Sequence, residues 1–160
     1  MAILPAMQVS TPVFLIESHV PAAAVGYCLE LWREHPFQLQ LRKSRTTKLG
    51  DFSCRPGRPP RITVNADSHP FLFLLTYVHE VAHLRVHHGH GFRVAPHGQE
   101  WKESFRNLCS PLFELNIFPE PIVEALRVHL LNPAASCMND ARLSRILQDH
   151  DDRFAGTLRL

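Results

Sequence analysis

The chain has 160 residues, 45% apolar and 20% charged, with a net charge of +2 at pH 7. That composition excludes an intrinsically disordered chain. The length fits one domain over residues 1–160, with a core at about 20–131 and a helical tail at 132–160.

The opening stretch MAILPAMQVSTPVFLIESHV is apolar, but no basic segment precedes it, and Pro5 and Pro12 interrupt it. It does not read as a secretion signal. No run approaches the length needed to span a bilayer, so no membrane partner is expected. Residues Pro21 to Glu34 carry a proline at a helix start and apolar Val25, Cys28, Leu29 and Trp32 at helical spacing, which predicts a first helix. FQLQLRK (Phe37 to Lys43) alternates apolar and polar residues and predicts a strand. Leu49 to Ser53, with Gly50 as a bend, predicts a second. RPGRPP (Arg55 to Pro60) is a loop, and RITVN (Arg61 to Asn65) a third strand.

From Phe71 to about His88 the chain is apolar almost all round, the pattern of a helix buried in the centre of a domain. Gly89 and Gly91 end it. Gly98 to Leu108 predicts another helix, with Trp101, Phe105 and Leu108 on its buried face and Pro111 past its end. Glu120 to Leu131 predicts a further helix, and Asp140 to His150 a short last one. The closing DDRFAGTLRL reads as a frayed tail or a segment packed back on the domain. Helix, strands, then helices, without βαβ repetition, is an α+β arrangement.

Four cysteines, Cys28, Cys54, Cys109 and Cys137, lie far apart, and no CxxC pair exists, which excludes a zinc ribbon or a thioredoxin-like site. They read as small core fillers in a cytoplasmic protein with reduced thiols. Charge is concentrated elsewhere. Arg42, Lys43, Arg45, Lys48, Arg55, Arg58 and Arg61 face a single acid, Asp51, within residues 42–61. This segment either holds a phosphate backbone or an acidic protein, or guards an exposed strand edge. With Phe52 as its only aromatic, it lacks the stacking platform of a strong single-strand binder.

The chemistry sits in His79-Glu80-Val81-Ala82-His83, an HExxH pattern. On a helix, residues four apart share one face, so two imidazoles can grip one ion. The glutamate beside the first histidine can take a proton from water held there. With 11 histidines in the chain, chance alone yields an HExxH in roughly 4% of shuffled sequences, so the pentapeptide needs support. Its helix supplies it. Burying two imidazoles and a carboxylate without partners costs on the order of several kcal/mol, and a metal satisfies all three. The competing reading is a partly exposed helix face whose histidines only make hydrogen bonds.

A catalytic zinc takes three protein ligands and keeps one open position. Candidates for the third are His87, His88, His90 and His97. His87 continues the same straight helix and would sit too far along its axis. The spacing HExxHxxGxxH fails, with Val86 in place of glycine and Gly89 in place of histidine. His97 follows a loop containing glycine and proline and precedes a helix, so the chain can fold it back over the ion; it is the best geometric choice. His87, His88 and His90 read as facing solvent.

HEVAHLRVHHGHGFRVAPHGQEWKESFRNL resembles the SprT-like zinc metalloprotease domain, whose pattern is HExxH, a loop, and PHGxEWK at the head of the next helix. Pro96, His97, Gly98, Glu100, Trp101 and Lys102 match the second block. RKSRTTKLGDF and RITVNADSHPF look like the hairpin and strand ahead of the metal helix, and NIFPE and LNPAAS like downstream segments, so the resemblance spans roughly residues 21–149. It implies a zincin-like fold, a small antiparallel sheet or hairpin packed with a central metal helix. It also implies one zinc ion on His79, His83 and His97, with Glu80 as general base. Relatives of the Spartan type cleave proteins crosslinked to DNA, which implies a protein substrate and contact with DNA or DNA-bound protein through residues 42–61. The chain departs from many such proteins in lacking a four-cysteine zinc ribbon and a long basic tail.

The expected function is therefore a zinc-dependent peptidase. The rival is a nucleic-acid-associated regulatory protein with a structural zinc and no turnover. No side-chain oxyanion donor stands out; Tyr77, on the metal helix, is expected to face away.

Overall fold

Pro12 opens a helix instead of breaking one. The computed structural model describes residues 9–134 and 136–158, with side chains through residue 151. The opening residues 1–8, and any packing by the side chains of the closing DDRFAGTLRL beyond Asp151, lie outside that description. Helix α1 (Val13–His19) follows Pro12 and buries Ile16, an element the sequence reading did not anticipate. Proline fits there because the amide hydrogen it lacks would find no acceptor at a helix start.

A 3-10 turn at Ala22–Ala24 leads into α2 (Val25–Glu34), which buries Cys28, Leu31 and Trp32. Two aromatic side chains tie this helix down. Tyr27 donates its hydroxyl to the Leu108 carbonyl at 2.6 Å, and the Trp32 indole donates to the Phe37 carbonyl at 2.8 Å.

Three strands follow: β1 (Gln38–Arg42), β2 (Gly50–Ser53) and β3 (Arg61–Asn65). Their spatial order is β1-β3-β2. β2 pairs antiparallel with β3, from Gly50 opposite Val64 to Ser53 opposite Arg61. β1, however, runs parallel to β3, from Gln38 opposite Arg61 to Arg42 opposite Asn65. The expected antiparallel sheet is therefore a mixed one. β1 and β2 flank β3 and stand about 9.6 Å apart, a gap that residues 43–49 cross with no tight turn. Buried Asn65 fastens that link. Its side-chain oxygen accepts from the Arg45 guanidinium at 2.9 Å, its side-chain amide donates to the Lys48 carbonyl at 2.9 Å, and its backbone N–H donates to the Leu49 carbonyl at 2.9 Å.

Helix α3 (Pro70–His90) is the expected central helix, 21 residues long. Proline occupies its first turn, and the His69 ring accepts from the Phe71 amide at 3.2 Å. Phe73, Leu74, Leu75, Tyr77, Val78 and Ala82 are fully buried, each large side chain contributing about 1.5–3 kcal/mol. The helix passes through Gly89 and stops at Gly91, whose φ of 62° suits glycine best. An ion pair between Arg85 and Glu34 joins it to α2.

Helix α4 (Gln99–Glu114) runs through Pro111, which the sequence reading had placed past the helix end. An interior proline costs about 3 kcal/mol in an isolated helix. Here Leu108 and Cys109 before it and Leu112 after it are all buried, and that packing holds the last turn. α5 (Glu120–Leu131) is as expected, and α6 (Ala141–Leu158) runs longer than the short helix anticipated. Leu143 and Leu147 of α6 join the same apolar core as α3 and α4. The described chain is thus an α+β unit with six α-helices and one three-stranded sheet. No described helix is long and apolar enough to cross a membrane.

Candidate metal centre

Helix α3 presents His79 and His83 one turn apart, and the loop between α3 and α4 brings His97 over them. The Nε2 atom of His97 lies 3.1 Å from that of His83 and 3.3 Å from that of His79. One ligating atom from each ring lies within 4.8 Å of the others, and the three residues are a group that could hold a metal ion. The spacing is informative. Nitrogens about 2.05 Å from a tetrahedral centre are about 3.3 Å apart. The two separations from His97 therefore match tetrahedron edges, and the third pair lies within 4.8 Å.

Electrostatics point the same way. Burial, reinforced by the charges of His83, His97 and His129, lowers the His79 pKa to about 3. Burial and His97 lower that of His83 to about 4, and burial lowers that of His97. The triad is neutral at pH 7, the form that ligates metals. Neutral Nε2 lone pairs directed at one point repel one another. A shared proton can satisfy only one pair of them, whereas a cation satisfies all three.

Trp101 forms the floor. It is fully buried, and its ring lies 4.6, 5.5 and 4.8 Å from those of His79, His83 and His97. Its indole N–H donates to the His79 carbonyl at 3.3 Å, and Phe105 stacks beneath it at 5.0 Å. One residue thus fixes all three imidazoles from below.

Glu80 is only 6% exposed and lines the same cavity of about 430 Å³ as the triad. Burial, with help from Asp51, lifts its carboxyl pKa to about 8 against the opposing pull of Arg45 and Lys48. A group that exchanges its proton near neutrality suits general acid–base work. The cavity's other wall is β2, an edge strand. It approaches α3 so closely that a Cβ on Gly50 would meet Thr76 Cγ2 at 2.7 Å, the Thr63 carbonyl at 2.8 Å and Glu80 Cγ at 3.3 Å. Only glycine permits that approach.

No protein-family model, curated protein or solved structure matches the chain.

Several residues fall elsewhere than the sequence suggested. His87 lines the cavity instead of facing solvent, because it lies four residues past His83 on the same helix face; that spacing was the available signal. His88 and His90 are exposed, and the His88 ring packs 4.2 Å from that of His35. Tyr77 faces away, donating its hydroxyl to the Cys28 carbonyl at 2.9 Å. The basic residues divide. Arg42, Lys43, Arg45 and Lys48 gather at the end of the sheet where Arg42 pairs with Asn65, and of these Lys48 lines the cavity. Arg55, Arg58 and Arg61 stand at the opposite end of the strands, where Ser53 pairs with Arg61. Arg45 bonds Asn65 and Thr63, and Lys48 pairs with Asp51 at 3.2 Å.

Sequence reasoning missed Ser136 and Cys137, which line the cavity from the segment between α5 and α6. That segment is held by Lys102 donating to Asn132 at 2.7 Å, and by a 3.0 Å contact between the buried His129 ring and Asp140. No local pattern announces a wall supplied from so far along the chain.

Proposed function

We propose that this chain is a zinc-dependent peptidase of the SprT-like kind, acting in the cytoplasm, with one zinc on His79, His83 and His97 and Glu80 as its general base. The observation that carries the reading is the convergence of three neutral imidazole nitrogens, 3.1 and 3.3 Å apart, beside a buried carboxylate in an open cavity. A structural zinc takes four protein ligands. Among the described residues only three group here, which favours catalysis over the structural-zinc alternative.

When bound, zinc supplies a Lewis acid that acidifies water and polarises a carbonyl. Glu80 accepts the proton of the attacking water and returns it to the leaving amine. Trp101 keeps the three imidazoles in register. The free edge of β2 beside the triad supports a peptide as substrate, since an extended chain can pair with unpaired strand amides and carbonyls. The exposed Arg42 and Lys43, on the same end of the sheet as the cavity-lining Lys48, support substrates associated with DNA. Free thiols at all four cysteines suit a reducing compartment.

The test is cleavage of an unfolded protein after chelation and after zinc is restored. Turnover that stops with chelation and returns with zinc supports the reading, and turnover indifferent to chelation contradicts it. DNA titrated against charge reversal of Arg42 and Lys43 tests the nucleic-acid part separately.

A further inference from the structure

Beyond the triad, one wall of the cavity is aromatic and has no role in holding a metal. His87 sits between Phe52 of the edge strand, with ring centroids 5.7 Å apart, and Phe92 of the loop after α3, at 4.4 Å. All three line the cavity that holds the triad. Phe92 is 78% exposed, yet its ring packs on His87 within the cavity lining. His87 stands one helical turn, about 5.4 Å, beyond His83. The wall therefore begins within one residue's reach of the metal, on the side where β2 offers its free edge.

We propose that Phe52, His87 and Phe92 form a specificity subsite that takes a large apolar or aromatic side chain next to the scissile bond of a peptide lying along β2. This deepens, and rests on, the peptidase reading. Charge supports the choice of occupant. Among the described residues, the charged side chains lining the cavity apart from Glu80 are Lys48 and Asp51, which pair with each other at 3.2 Å. Among the described residues that line it, no unpaired formal charge besides Glu80 is left to hold an acidic or basic side chain. Val86, Val94 and Pro96 continue the apolar surface, and an exposed aromatic at its rim gains from burial only when an apolar group covers it. Phe92 and Phe52 are specificity-determining residues here; they touch no reacting atom.

The experiment uses the zinc-loaded full chain and quenched-fluorescence peptides that differ at one position. Phe, Leu, Ala, Lys or Glu is placed in turn at each of the two residues before and after the cut bond. We expect kcat/KM for the best-placed Phe or Leu peptide to exceed that of its Ala counterpart at least about tenfold. In Phe92→Ala that ratio should fall towards one, and Phe92→Leu should restore most of it. Phe92 is exposed, so its truncation removes little from the core, and circular dichroism checks that the variant folds. Phe14→Ala, equally exposed at 77% on α1 and outside the cavity lining, should keep the ratio. Cleavage of all peptides at similar rates, a preference for Lys or Glu, or a ratio unchanged in Phe92→Ala overturns the subsite and leaves the peptidase reading standing. Zinc-loaded protein that cuts none of the peptides and no unfolded protein overturns both.

Discussion

The Nε2 atoms of His83 and His97 lie 3.1 Å apart, although the residues are 14 positions apart and belong to different elements. Two neutral imidazole nitrogens gain nothing from such closeness unless a proton or a cation lies between them. The fold holds them there with α3 on one side and Trp101 below, as part of a group that could hold a metal ion.

In the proposed centre, His97 is the ligand supplied from outside the helix. His97→Ala leaves two imidazoles, and we expect zinc affinity to fall at least about 100-fold, more than removal of an outer partner costs. Competition against a chromophoric chelator measures it. His90→Ala, on an exposed position, should leave affinity unchanged.

Trp101 is both core and support for the triad. Trp101→Ala should destabilise the metal-free protein by about 3–5 kcal/mol in urea. Trp101→Phe keeps an aromatic floor and loses the hydrogen bond to the His79 carbonyl, for about 1 kcal/mol. Zinc affinity should fall less in Trp101→Phe than in Trp101→Ala.

Gly50 sets the distance between the edge strand and the metal helix. Its missing Cβ would lie 2.7 Å from Thr76 and 2.8 Å from the Thr63 carbonyl. Gly50→Ala must push β2 away, which should cost about 1–3 kcal/mol of stability and lower kcat/KM for peptides more than zinc affinity. Gly89→Ala, with open space around it, should do neither.

Metal-free protein should lose stability in both acid and base. The folded pKa values of His79 and His83, about 3 and about 4, lie below the ordinary value near 6.5. As pH falls below that value, the unfolded chain takes up protons the folded one refuses, and stability declines until the folded values are reached. Glu80 has the opposite sign. Its folded pKa of about 8 lies above its ordinary value, so its contribution is full at low pH and is lost as pH rises through about 8. Urea midpoints of metal-free protein should peak between these limits, and Glu80→Gln should remove the loss of stability that the carboxyl contributes between its ordinary value and about 8.

Much of the centre was legible in the sequence because its geometry is local. The i, i+4 spacing of His79 and His83 fixes one helix face, and a loop with glycine and proline before His97 allows the return. Long-range placements were not legible. Nothing in residues 43–49 says that β1 will pair parallel with β3, since that depends on which edge of the sheet the chain reaches. Pro111 looked like a helix end because propensity is local, whereas Leu112 is buried by contacts from elsewhere. Pro12 looked like an interruption because the same residue serves as breaker and starter. His87 read as facing solvent because it is a poor ligand, yet a poor ligand on the His83 face of the helix still lines the cavity. The basic segment read as one patch in sequence, and strand pairing divides it between two ends of the sheet.

The most direct measurement is the turnover and zinc content of Glu80→Gln beside the unaltered protein, on an unfolded protein substrate. The peptidase reading predicts one zinc per chain in both and a loss of at least about 100-fold in kcat for Glu80→Gln, the scale of a general base. Equal cleavage by the two proteins, with zinc bound in each, would contradict it.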